Sequence, residues 1–233
     1  MRISKRLYKI TQKVSQGETV ADIGTDHGYA PMLLIREGIS PHVIMSDISE
    51  GSLAKAFETF RICGLDADKD CFRIGDGLGT VEPGEVDTVI IAGLGGFTII
   101  DILSSDLEKS RSFPKLILQP RKHSGHLRYY LYTKGWDIID EDLAPEGKFV
   151  CEIITAVPSE KTFREVLYPE DDIRWKYPPE LIKADPELAK KRISWKIGSI
   201  DEQIENLKNS SSDTKILIGK LQKDKAYLQS IIK

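Results

Sequence analysis

Residues 20–31 read VADIGTDHGYAP. An apolar run reaches Asp22, turns through Ile23 and Gly24, and meets Thr25, Asp26 and His27 before Gly28. The run predicts a buried strand, and the turn after it predicts entry into a helix with Pro31 near its first position. Gly-rich turns placed this way usually cradle a phosphate on backbone N–H groups. This one carries two carboxylates, Asp22 and Asp26, where a phosphate needs neutral or positive ground. The ligand has to be found from the neighbouring segments.

Working outward, the helix PMLLIREG stops at Gly38, and HVIMSDI predicts a second strand. A helix capped by Ser49 follows, with Leu53, Phe57 and Phe60 on one face and Gly64 as its stop. CFRIGDG predicts the third strand. VDTVIIAG predicts the fourth, apolar throughout as a central strand covered on both faces must be. Ile99, Ile100, Leu103 and Leu107 predict one helix, KLILQP the fifth strand, and SGHLRYYLYTKG the helix after it. Strands alternating with helices require a parallel sheet wound on both sides. After Gly135 the alternation ends: WDIIDEDL and FVCEIITAV are joined by APEGK with no helix between them, so they pair antiparallel. The fold class is α/β, in the layout of a class I Rossmann-like methyltransferase sheet, parallel and ending in an antiparallel hairpin.

The composition shifts near residue 158, which divides the chain into a domain at 1–158 and a helical appendage at 159–233. YPEDDIRWKYPPE reads as a linker or wrap. Ile193, Ile197, Ile200, Ile204 and Leu207 then form a heptad seam, NSSSD interrupts it, and Leu217, Leu221, Leu228 and Ile231 resume it with Asp224 in the remaining slot. Two antiparallel helices packed on each other and on the main domain satisfy that pattern. Seams this short fit a monomer or a weak homodimer.

With 233 residues and a formal charge of −3, the chain has length for a real core and no global basic excess, so nucleic-acid binding has to rest on local patches. Cys63, Cys71 and Cys151 are odd in number and share no C-x-x-C spacing, which argues against a disulfide framework or zinc and for a reducing, cytoplasmic setting. His123 and His126 have H-x-x-H spacing without a third ligand, so no metal is expected. The N-terminus is a short amphipathic helix with Arg2, Lys5, Arg6, Lys9 and Lys13 on its polar side; no long apolar stretch marks a leader or a membrane span.

Ligands of open parallel sheets bind beyond the carboxyl ends of the strands. Those ends carry Asp22-Ile23-Gly24-Thr25-Asp26-His27-Gly28, Asp47-Ile48, Asp76-Gly77, Ala92-Gly93-Leu94-Gly95 and Gln119-Pro120-Arg121. A dinucleotide fingerprint G-x-G-x-x-G lacks its middle glycine here, because Asp26 holds the place. S-adenosylmethionine has no phosphate; it carries a sulfonium, an ammonium and one carboxylate. Acids suit its cationic groups, and the N–H groups of the glycine turn suit its carboxylate. Asp47 stands where an acid meets a ribose hydroxyl pair, and Asp76 where the adenine amino group arrives. Asp22, Gly24, Thr25, Gly28, Ile48, Gly77, Ala92, Gly93 and Gly95 complete the expected cofactor site. Each acid taken singly also fits a helix cap or a turn.

SKRL, ADIGTDHGYAP, GDGL, IAGLGG, LILQP and GKFVCEI, in this order, resemble the TrmK family of bacterial tRNA adenine-N1 methyltransferases. The resemblance runs over essentially the whole chain, is strongest from 4 to 154, and leaves SWK at 194–196 as its best trace beyond. It implies a class I methyltransferase domain with a C-terminal helical coiled-coil domain, and methylation of N1 of adenosine 22 in tRNA. Departures are Gly28 and Ala30 where the family reads Ala and Leu, Ser46 before the strand-two acid, Leu94 for Met, and Arg121 where the family has Asn.

Adenine N1 has a free lone pair, so attack on a methyl carbon needs no prior proton loss, and the product is a cation. A carboxylate at the base edge holds the amino group and stabilises that charge. Asp26 is the candidate. His27 is the second, either orienting Asp26 or merely starting the helix. Tyr29 either stacks on an extruded base or packs in the core. Phosphate contacts are expected from Lys5 and Arg6, from Arg121, Lys122 and Arg128 in RKHSGHLR, and from KKRISWK, although each is also an ordinary solvated face. A small-molecule methyltransferase and an inactive RNA-binding relative remain open alternatives; a nicotinamide dehydrogenase is disfavoured by Asp26 and the terminal hairpin.

Overall fold

The computed structural model describes residues 3–161, 164–208 and 214–233. It begins with α1 (Lys5–Thr11), whose first turn is capped by Ser4 Oγ accepting the Leu7 N–H. Then come β1 (Val20–Ile23), α2 (Tyr29–Arg36), β2 (Val43–Asp47), α3 (Glu50–Ile62), β3 (Phe72–Ile74), β4 (Thr88–Leu94), α4 (Gly96–Ser105), α5 (Leu107–Ser112), β5 (Lys115–Pro120), α6 (Ser124–Thr133), β6 (Trp136–Glu146) and β7 (Phe149–Pro158). The seven strands form one sheet in the order β3-β2-β1-β4-β5-β7-β6. All pairings are parallel except those of β7, which runs antiparallel to both β5 and β6. The expected parallel sheet with an antiparallel ending is therefore present.

Strand alternation distributes the core to both faces. Val89 and Ile91 join Ile99, Leu103, Leu127 and Trp136 under α4 and α6, while Ile90 joins Ile10, Leu34 and Ile153 under α1 and α2. Met32, Met45, Ala56 and Phe60 pack α2 and α3 together. Registering Asp22 between Met45 and Ile90 puts the carboxyl ends of β1, β2 and β4 on one edge, which sets the place of the site.

Several expectations need correction. Leu107 does not continue α4: Asp106 breaks it and caps α5, its Oδ1 accepting the Lys109 N–H at 3.0 Å. Most of APEGK lies within strands, and only Gly147, at φ 59°, and Lys148 separate β6 from β7. Phe57 and Phe60 both meet the Phe72 ring, as their shared helix face requires, although Phe57 is 48% exposed.

The chain continues into α7 (Ile173–Lys176), α8 (Glu180–Ala184), α9 (Pro186–Lys208) and α10 (Lys215–Ile231). YPEDDIRWKYPPE is thus no plain linker, since it carries α7, which packs on α6, and Tyr177, which is buried. Ile193, Ile200 and Ile204 of α9 meet Leu221 and Leu228 of α10, as the seam requires. Leu217 departs from the seam and is 47% exposed. Arg2 and the NSSSD break lie outside the described residues. No described helix is long and apolar enough to cross a membrane.

Candidate active site

At the carboxyl edge of the sheet lies a cleft of about 980 Å³, lined by the turns after β1, β2, β3 and β4, by α4, and by Arg6 and Arg121. That volume suits a nucleoside-sized ligand. The sheet brings together Asp22, Gly24, Thr25, Asp26, His27, Asp47, Ile48, Asp76, Gly77, Ala92 and Gly93, all of them lining this one cleft.

Asp22 lies at the floor, 5% exposed, with Oδ2 accepting from Thr25 Oγ1 at 2.7 Å. Burial pushes its carboxyl up to about 6; the Thr25 hydroxyl and Arg6 act against this, and Asp47 adds to it. Asp47 accepts two backbone N–H groups, from Asp26 at 3.1 Å and from Ser49 at 2.9 Å. Two such bonds fix the carboxylate and leave lone pairs on both oxygens. Asp26 occupies the left-handed region at φ 47°, which turns its side chain outward to 60% exposure, with Lys55 Nζ 3.4 Å away. His27 Nε2 is 3.8 Å from Asp26 Oδ2, beyond hydrogen-bond reach, and its ring stacks on Tyr29 with centroids 5.1 Å apart. Tyr29 lines the cleft instead of packing in the core.

Glycines open the cradle where side chains would fill it. A Cβ on Gly77 would lie 3.1 Å from Ile102, and Gly77 itself stands at φ 51°. At Gly93, φ 79°, an added Cβ would come within 3.8 Å of the Arg121 guanidinium, which places that side chain over the β4 turn. The acids, the permissive turns and the volume fit a nucleoside that bears positive charge.

The methyltransferase-domain family matches residues 3–154. The putative tRNA methyltransferase of Mycoplasma pneumoniae is 30% identical over 175 residues, 73% of this chain and 78% of that protein. The tRNA (adenine(22)-N(1))-methyltransferase of Bacillus subtilis is 33% identical over 156 residues, 67% of this chain, and the match spans 65% of that protein's length. The crystal structure of the B. subtilis m1A22 tRNA methyltransferase TrmK superposes with a TM-score of 0.81 at 26% identity, covering 100% of this chain and 99% of that one. This chain belongs to the TrmK family.

Within this TrmK framework some expected site residues fall elsewhere. Gly28 does not line the cleft; it precedes α2 at φ 64°, and a Cβ there would sit 2.9 Å from Ala56 Cβ, so it serves helix packing. Gly95 likewise lies outside the lining, as the residue that starts α4. Arg128 is no phosphate ligand: it is 2% exposed and ion-paired with Glu141 at 2.5 Å and Glu152 at 2.7 Å. Arg6 is also turned inward, donating to Glu146 Oε1 at 2.8 Å and to Gln119 Oε1 at 2.9 Å. Lys9 and Lys13 pair with Asp142, so most of the basic face of α1 is neutralised by β6. Lys5, Arg121 and Lys122 are exposed. The sequence reading missed Arg6, Thr98, Asp101 and Ile102 as cleft residues; the helical spacing of 98, 101 and 102 on α4 was the available signal.

Proposed function

We propose that this chain transfers a methyl group from S-adenosylmethionine to N1 of an adenosine in tRNA, at position 22. The supporting observation is the convergence of Asp22, Asp26, Asp47 and Asp76 on one cleft of a TrmK-family sheet. When bound, S-adenosylmethionine supplies a methyl group on a sulfonium sulfur. Asp47, held by its two N–H donors, would accept the ribose hydroxyls, and Asp76 would receive the adenine amino group. Gly24, Thr25 and Gly93, with the carboxylate of Asp22, would hold the amino-acid end, and Ile48 and Ala92 line the same cleft.

Asp26 stands at the opening, exposed and charged, where an entering base meets the site. It takes the exocyclic amino group of the target adenine and stabilises the cation that forms as N1 is alkylated. His27 and Tyr29, stacked on each other, make a flat wall beside it. The α9–α10 seam is consumed within the chain, which supports a monomer or a weak homodimer. A substrate of this kind sets the enzyme to work in the cytoplasm.

The test is incubation with labelled donor and an unmodified tRNA transcript, followed by nucleoside analysis. Label in N1-methyladenosine, absent when residue 22 of the transcript is guanosine, is expected. Label only in free metabolites, or tRNA binding with no label, overturns the reading in favour of a small-molecule enzyme or an inactive relative.

A further inference from the structure

Three aromatic rings gather at the lip of the cleft without belonging to it. Phe97, 46% exposed, opens α4 one residue before cleft-lining Thr98. Its ring centroid lies 4.5 Å from that of His123 and 4.9 Å from that of His126, at the start of α6. The two helix starts are locked together. The Gly96 N–H donates to the Lys122 carbonyl at 2.8 Å, and a Cβ on Gly96 would lie 2.5 Å from the His123 oxygen. His123 is held at φ 61°; among the described residues only Asp26 shares a positive φ without being glycine. Such strain is retained where the surroundings enforce it, and it clusters at functional sites. Glu170 fixes the third ring by bonding His126 Nδ1 at 3.0 Å.

Beside Glu170, two lysines act on these rings. His123 is pushed below the usual histidine range, by burial first and then by Lys122, His126 and Lys176. Lys176 is in turn lowered by burial, Lys196 and Arg192, with Glu152 opposing. Lys196 also faces Asp224. Among the described residues no carboxylate ion-pairs with Lys122 or Lys176. Like charges collected beside exposed rings suit a ligand that is both anionic and aromatic.

We propose that Phe97, His123 and His126 form a platform on which an unpaired base next to the target adenosine stacks, while Lys122 and Lys176 take its phosphates. This rests on the RNA reading above. Base stacking on aromatic rings is sequence-tolerant because every base presents a π face, so the platform positions the RNA strand rather than reading it.

The experiment measures binding of the full-length protein to unmodified tRNA by fluorescence anisotropy over a salt series, with donor affinity by calorimetry and thermal melting alongside. Phe97→Ala is expected to weaken tRNA binding by roughly 5- to 150-fold, the range for a base lost from an aromatic stack, with donor affinity and melting unchanged. Phe97→Trp is expected to restore binding. Replacing Lys122 and Lys176 together by Ala is expected to flatten the slope of log K against log salt by about 1 to 2. Wild-type tRNA affinity in Phe97→Ala, or an equal loss of donor affinity, overturns the platform. A wild-type protein that binds no tRNA at all overturns the RNA reading itself, a distinct outcome.

Discussion

The backbone N–H of Asp26 donates to Oδ2 of Asp47 at 3.1 Å, so the turn after β1 hangs from the acid that ends β2. The other Asp47 oxygen holds the Ser49 N–H, which leads into α3. One carboxylate therefore sets the position of two turns and presents its remaining lone pairs to the cleft.

Asp47→Ala is expected to weaken donor binding by about 10- to 100-fold, since hydrogen bonds to a charged acceptor are worth about 1.5–3 kcal/mol. Turnover at saturating donor should fall as well, because the Asp26 turn loses its anchor. Asp47→Asn keeps an acceptor for the Asp26 N–H and should show the binding loss with a smaller effect on turnover. Calorimetry and single-turnover rates separate the two; an unaltered dissociation constant in Asp47→Ala would remove this residue from the donor site.

Asp26→Asn tests the charge at the cleft opening. Asn tolerates the left-handed region at φ 47°, where Ala would add strain of roughly 1–2 kcal/mol. The substitution is expected to lower kcat by about 10²- to 10³-fold, the usual cost of losing one electrostatic contact to developing charge, with donor affinity retained. His27→Ala should cost far less, since its Nε2 stands 3.8 Å from the carboxylate. An Asp26→Asn enzyme with parental kcat would refute the catalytic assignment.

Asp22 and Asp47 were legible in the sequence because each closes an apolar run, and Asp26 and Asp76 because each lies in the glycine-bearing turn after a strand; parallel topology brings such ends to one edge. Gly28 was misleading because a glycine in a turn signals ligand approach and close helix packing equally; only the position of Ala56 decides. Arg128 was hidden by its basic neighbours in RKHSGHLR. Its signal lay in the partner strands: Glu152 falls inside the apolar run FVCEIITAV, and a carboxylate buried there requires a cation. The Asp106 break was obscured by the apolar spacing from Ile99 to Leu107, which continues across a residue that caps a new helix.

Asp22 gives a pH signature. Its carboxyl is raised to about 6 in the folded chain, above the unfolded value of about 3.9. The native state then holds the extra proton between those values, so stability falls as pH rises through roughly 4 to 6 and stays lowered above it, by about 3 kcal/mol at most. Asp22→Asn should be more stable than the parent at pH 7 and lose that advantage near pH 4, as read by urea unfolding. Because a cationic donor needs the ionised form, parental donor affinity should fall by about tenfold per pH unit below about 6. A flat affinity profile from pH 7 to 5 would mean that Asp22 does not face the charge.

Arg128 is expected to behave as a structural residue and not as an RNA contact. Its guanidinium joins Glu141 of β6 to Glu152 of β7, and Arg192 of α9 ion-pairs with the same Glu152, which also accepts from Ser124 Oγ at 2.8 Å. Burial outweighs Arg128 at Glu141, whose carboxyl is pushed up; at Glu152 burial is offset by two arginines, and the carboxyl is held down. Arg128→Ala strands both carboxylates in the interior, and removing one partner of a buried ion pair costs about 3–5 kcal/mol. Arg192→Ala should cost less, because Arg128 remains and Ala189 of α9 still packs on Leu143 of β6, but it removes the ion pair between α9 and Glu152. Urea unfolding of both variants checks the order. The salt slope of tRNA binding should be the same in Arg128→Ala as in the parent at temperatures where it is folded. A variant with parental stability and a flatter salt slope would return Arg128 to the RNA-binding surface.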